Sequence, residues 1–519
     1  MGSLSAKAVS FDDSLSRCYW TWRKNPATSV PTMLNSSLSI MVQAIFSIFG
    51  IMLLVKMQSD GILIQLLASL LNSDYQGLLR LVEEPFILNT LLSYLTPAII
   101  LSVIIFFLAA GFVYSAEYSS YVIALSGDNV KVETVMSRIR YKWRSMAWTH
   151  FLSSLISLGP IVIGTAVLLY TLSIQSFTVV GVSIFLLSII PTCILSFSLI
   201  YTEIAVIKDC LTGLSAIRRS FNTVRRNWKI SLTYALADLF LSGLFISAAS
   251  LIPGAGLPLS SLVSIAVSFI VIPIMHLTKT SIYSDVADGK LESSYVIIYP
   301  SLLADVVKGL PTFLLHKFIA GLSALKSFIV GRNNIFYHLT SLLALIIGLA
   351  AGLEFGYSGF ANDLLNAGYV PGRINPLVSS SIPVSLGLYI FLHNWQVSLA
   401  TALSGIWFSV TPFVSIFVNG FILGSVYTLV PNFFMFAAAI LPHGVIELPS
   451  FILAGSAGIR LGVFFYKFNK ANDDKMNSEF YYVARQTIYL LIALALLFLI
   501  AGLIEANITP IIMHYAGWT

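Results

Sequence analysis

The sequence predicts an all-α polytopic membrane protein with about eleven transmembrane helices, six in a first set and five in a second. Three observations predict it. Hydrophobic residues make up 57% of the 519 residues and charged residues only 10%, with a mean hydropathy of +0.87, which excludes a soluble globular protein of ordinary composition. Apolar runs of roughly 20 residues recur along the chain, the length a helix needs to cross about 30 Å of hydrocarbon. They are too long for the strands of a barrel, so helices must satisfy the backbone there. The third observation is the placement of charge. All 29 Lys and Arg residues except Lys56, Arg80 and Arg373 fall on one alternating set of connections. Basic residues collect on the cytoplasmic side, so the amino terminus is expected inside and the carboxyl terminus outside, in the cell membrane. The net charge of +6 follows from this topology. No basic stretch carries the interleaved aromatics of a nucleic-acid site, so no nucleic-acid partner is expected.

In order, the first set of spans covers residues 33–55, 87–113, 147–172, 177–207, 230–252 and 257–283. The stretch before residue 33 is polar and has no apolar signal-peptide core, so the first span is expected to direct insertion. Residues 62–82 form an outer segment expected to lie flat on the membrane. Cys18, Cys193 and Cys210 form neither a disulfide framework nor a CxxC metal site.

Internal repetition organises this half. "YSAEYSSYVIALSGDNVKVETVMSRIRYKWRS" and "YTEIAVIKDCLTGLSAIRRSFNTVRRNWKIS" both place a glycine ten residues after an acid, then a basic stretch ending in Trp: Glu117, Gly127, Trp143 and Glu203, Gly213, Trp228. Asp285 is a third acid, and the acids are 86 and then 82 residues apart. "SLSRCYWTWRKNP" matches the basic stretch once more. Residues 1–287 are therefore expected to form one six-span domain of three two-helix repeats, each led by a basic cytoplasmic helix. Glu117, Glu203 and Asp285 either pair with nearby Arg and cap these helices, or form a ring that attracts cations or a basic partner. The pattern resembles the membrane domain attached to some glycerophosphoryl diester phosphodiesterases, although this chain carries no phosphodiesterase catalytic domain.

Residues 288–309 are polar and read as a linker. Leu314, Phe318, Leu322, Leu325 and Ile329 then recur at spacings of 4, 4, 3 and 4, with Lys317 and Lys326 off the stripe. Such a helix suits the cytoplasmic interface, or docking against the first half. The second set of spans covers 335–353, 382–404, 410–430, 433–465 and 487–508, so that residues 310–519 form a second domain.

Ionisable side chains inside a span cost several kcal/mol and persist when paired or functional. Here they are His393 and Asn394 in "IFLHNWQVSL", Asn419 in "IFVNGFILG", His443 and Glu447 in "ILPHGVIELP", and Glu505 in "AGLIEANITP". His443 and Glu447 stand four residues apart, on one helix face. Pro442 and Pro449 flank them and remove backbone donors, so a break or kink is expected here, with Gly444 admitting another backbone. Ala454, Gly455, Ala457 and Gly458 read as a helix-packing face, and Arg460 as a snorkelling cation.

"FLHNWQVSLATALSG", "VNGFILG", "LPHGVIELPSFILAGSAGIRLG" and "AGLIEANITP", in this order, resemble the stage II sporulation protein M family of five-span membrane proteins over about residues 310–519. The resemblance implies a membrane protein that works with partners. The sporulation protein for which the family is named is a membrane partner of cell-wall hydrolases during engulfment, a role not expected of a chain with six further spans.

The leading functional expectation is a scaffold or permease-like subunit with a buried polar cluster, partnered by lipid and by another protein or a second copy. One alternative is a proton- or ion-coupled transporter. Another is a metal-dependent intramembrane hydrolase in which His443 and Glu447 hold the metal, although "HGVIE" lacks the paired histidines of HExxH. No cofactor is expected. No GxxxxGK[ST] occurs, so any ATPase would be a separate chain.

Overall fold

The computed structural model describes residues 10–174, 177–244, 263, 267–287, 310–368, 383–407, 409–470 and 474–518. Among these the protein is all-α, with no strand. Eight helical segments are long and apolar enough to cross a membrane, and they coincide with eight of the eleven expected spans. The expected spans 230–252 and 257–283 run partly outside the described residues. The expected span 382–404 is a helix, Pro383–Leu403, whose polar His393–Gln396 stretch lowers its hydropathy. The linker at 288–309 lies outside the described residues.

The helices, in chain order, are α1 (Phe11–Lys24), α2 (Val30–Ser59), α3 (Ile62–Leu71), α4 (Tyr75–Glu83), α5 (Pro85–Leu125), α6 (Val132–Ser173), α7 (Thr178–Ser198), α8 (Thr202–Lys208), α9 (Leu214–Arg226), α10 (Trp228–Leu239) and α11 (Ile272–Ala287). They continue as α12 (Leu310–Val330), α13 (Ile335–Phe355), α14 (Ala361–Asn366), α15 (Pro383–Leu403), α16 (Val410–Leu429), α17 (Phe433–Lys470), α18 (Asp474–Asn507) and α19 (Thr509–Tyr515).

Contacts divide the chain into two compact units that do not follow the expected boundary at residue 287. The first comprises Met1–Asn35, Ile105–Ala248 and Val263–Ser301, and the second Ser36–Ile104, Ala249–Leu262 and Leu302–Thr519. The repeat signal sits in the polar helices and acids, all of which belong to the first unit. The apolar stretch 36–104 carries no comparable mark of which helices it packs on.

The first unit is built around buried tyrosines. Tyr118, Tyr121, Tyr201 and Tyr283 are almost fully buried with Cys18, Ile204, Met275 and Leu277. The backbone follows the sequence repeat: Gly127 and Gly213 both have positive φ, 86° and 55°, where the chain turns from an acid-bearing helix toward a basic one. A side chain would strain that conformation, which gives the glycine of the repeat a physical reason. The basic helices keep their charges outward, and Ala216, Ser220 and Val224 form the buried face of α9.

The second unit rests on close helix contact through glycine. A Cβ added at Gly348 or Gly352 of α13 would strike the carbonyl oxygens of Phe417 and Phe421 of α16, and Gly420 and Gly424 stand against Leu345 and Leu349 in return. Lipid supplies no hydrophobic drive between helices, so small residues that bring backbones together do this work. Gly387 and Gly502 join α15 to α18 in the same way. On α12, a Cβ at Gly321 would lie 2.6 Å from the Tyr489 carbonyl oxygen, and Lys317 donates to the Tyr489 hydroxyl at 3.1 Å. The buried face of α12 therefore runs through Gly321 and Phe328, while Leu322 and Ile329 of the expected stripe are exposed. The Leu314 side chain lies outside the description. The outer segment 62–82 resolves into α3 and α4, and Ile62 and Leu63 pack with Met57, Ile87, Phe355 and Phe421.

Candidate functional site

Helix α17 carries the centre of the site and runs unbroken from Phe433 to Lys470 with Pro442 and Pro449 inside it, so the expected break is absent. Each proline deletes one i→i−4 bond, which releases the carbonyls of Ala438 and Val445, and the rest of a 38-residue helix holds the course. No second backbone approaches Gly444: a Cβ there would meet only Ile440 and Leu448 of its own helix, the nearest atom at 3.2 Å. The close approaches lie three to four turns further on, where a Cβ at Gly458 would fall 3.0 Å from the backbone of Ala402 and one at Gly455 would fall 2.7 Å from Ile416. Ala454 and Ala457 are buried beside them.

His443, Glu447 and Glu505 converge. One ligand-capable atom from each lies within 4.8 Å of the others, with His443 and Glu447 supplied by α17 and Glu505 by the last turn of α18. Asn394 of α15 stands beside the Glu447 carboxyl. Oε2 of that carboxyl is buried without a partner. Among the described residues neither glutamate forms an ion pair with Lys or Arg. α19 closes the site, placing the Thr509 hydroxyl 3.2 Å from His443 Nδ1 while that hydroxyl donates to the Ile504 carbonyl at 3.3 Å.

Two of the expected cluster members stand elsewhere. His393 is exposed and stacks on Tyr389 of its own helix, with ring centroids 6.3 Å apart. Asn419 donates to the Ser415 carbonyl one turn back at 2.8 Å. Arg460 does not simply extend to an interface. It donates to Gln486 Oε1 at 2.5 Å, Gln486 donates to Ser327, and the guanidinium lies 5.7 Å from the Phe328 ring, so one side chain ties α17 to α18 and α12.

In the first unit each repeat acid meets a base, though among the described residues only one meets an arginine. Arg17 donates to Asp285 at 2.6 Å. Glu117, fully buried, faces His276 Nδ1 at 2.6 Å and accepts from the Tyr121 hydroxyl at 3.0 Å. Glu203 faces His150 Nδ1 at 3.4 Å. Sequence reasoning missed both histidines because each comes from another helix at no diagnostic spacing. It also passed over Thr509, although Thr509 stands in the quoted motif four residues after Glu505.

What the second unit can do chemically follows from its charges. Two carboxylates and an imidazole in low-dielectric surroundings need a proton or a cation between them. No solved structure matches this chain. It is 25% identical over 176 residues to an uncharacterised protein of Methanocaldococcus jannaschii, an alignment covering 34% of this chain and 80% of that one. Residues 341–510, which contain His443, Glu447, Glu505, Asn394 and Thr509, match the family model described as Stage II sporulation protein M.

Proposed function

We propose that the chain is a permease-like membrane protein whose second unit takes up a cation, the proton included, at His443, Glu447 and Glu505. The carrying observation is the meeting of two intramembrane carboxylates with no basic counter-ion among the described residues. Ionisable groups at such positions mark ion or substrate paths in membrane proteins. The family match covers about a third of the chain, so the sporulation role in the family's description is not carried over.

The test is flux in proteoliposomes. A pH or cation gradient is expected to drive ion movement through the wild type, and Glu447→Gln should cut the rate at least tenfold. Absence of flux with and without a gradient removes this reading. It would leave the scaffold reading, which rests on the glycine-lined contacts that fix α13 to α16 and α15 to α18.

A further inference from the structure

The second unit holds a set of donors whose arrangement goes beyond a general affinity for positive charge. His443 and Glu447 each have a polar neighbour beside one atom and another atom left over. The Thr509 hydroxyl donates to the Ile504 carbonyl and lies 3.2 Å from His443 Nδ1, where its oxygen is placed to accept from Nδ1–H. In that tautomer Nε2 keeps its lone pair for a ligand. The buried Oε2 of Glu447 has no partner, and Asn394 of α15 stands beside this carboxyl. A ligand histidine that gives its second N–H to an oxygen, and a ligand carboxylate held by an amide, are the supporting arrangement metal sites use to orient their ligands.

With both carboxylates ionised and the imidazole neutral the set carries −2, which one divalent ion neutralises outright, whereas a monovalent ion needs a proton beside it. One nitrogen and two oxygen donors suit zinc, manganese or ferrous iron better than magnesium or calcium, which prefer oxygen alone.

We infer that His443, Glu447 and Glu505 form a divalent transition-metal site, with Thr509 and Asn394 as positioning residues. This rests on the reading that the cluster takes a cation. It adds which class of cation, and it holds whether the ion is moved through the protein or stays in it.

The experiment uses the full chain in detergent, stripped with EDTA and titrated with Mn2+ by electron paramagnetic resonance and with Zn2+ by equilibrium dialysis. About one ion per chain is expected. Glu447→Gln and Glu505→Gln should weaken binding at least a hundredfold, Thr509→Val about tenfold, and His393→Ala not at all. Absence of saturable binding near one equivalent overturns the inference, as does unchanged binding in both glutamine variants. Should those variants fail to fold, electron spin-echo modulation of the Mn2+-loaded wild type decides. Coupling to a single histidine nitrogen, altered by 15N-histidine labelling, supports the site, and its absence overturns it. A chain that conducts protons yet binds no divalent ion keeps the permease reading and loses this one. A chain that binds the ion and passes nothing does the reverse.

Discussion

Cys18 and Cys210 belong to one unit and differ in what governs a thiol's chemistry. Cys18 is completely buried on α1, and burial pushes its thiol up to about 11, despite hydrogen bonds with Thr278 and Ser281 and the neighbouring Arg17, which act the other way. Cys210 is exposed in a turn with φ of 57°. Since the thiolate is the reacting species, a charged maleimide at pH 8 should label Cys210 and leave Cys18 untouched until the protein is denatured. Comparable rates at the two positions in the native protein would contradict the burial of α1. The same shift has a sign for stability. The neutral thiol is favoured in the fold, so its contribution is complete below pH 9 and is lost as pH rises toward 11. His443 and Glu447 were legible at this scale because four-residue spacing puts them on one face. His150 and His276 were not, since an acid's partner from another helix leaves no local pattern.

Helix α17 shows where element-scale reading succeeds and where it stops. The prolines and glycines of "LPHGVIELPSFILAGSAG" mark an unusual helix, yet composition does not say which glycine meets a neighbour. Gly444 meets none, whereas Gly458 lies against the Ala402 backbone at 3.0 Å. Gly458→Ala must therefore force two backbones apart and should cost about 1–3 kcal/mol, as overpacking of a close contact does. Gly444→Ala asks only a rotation of Ile440 and should be neutral within about 1 kcal/mol, helped by alanine's better helix propensity. Thermal denaturation in detergent followed by size-exclusion chromatography compares them, and equal losses would refute the assignment of packing to Gly458. The stripe on α12 shows the same limit. Periodicity suited it to the interface or to docking on the first half, and Leu322 and Ile329 are exposed, but it did not point to the contact with α18, which is set by Gly321, a residue without hydrophobic weight. In lipid an exposed leucine costs nothing, so apolar periodicity loses the meaning it has in water.

At the scale of the whole molecule the all-α, multi-span character was plain from hydropathy alone, because a bilayer permits few alternatives to helices of that length. The division into compact units was not, because the spans within residues 36–104 carry no repeat motif and any neighbouring helix could bury their apolar faces. Hydropathy and charge together make a prediction about sidedness. Lys208, Arg218, Arg225 and Lys229 flank Cys210, and Lys467, Lys470, Lys475 and Arg485 precede the last span, so both segments are expected inside. One more crossing would then carry α19 to the opposite side; Tyr515 on α19 is 84% exposed. The eleven crossings expected from hydropathy would separate the termini, and ten or twelve would place them together. In intact cells a membrane-impermeant maleimide should therefore react with Tyr515→Cys and spare Cys210, and permeabilisation should make Cys210 reactive. Protection of Tyr515→Cys until permeabilisation, with Cys18 silent throughout, would mean an even number of spans and would place both termini on one side of the membrane.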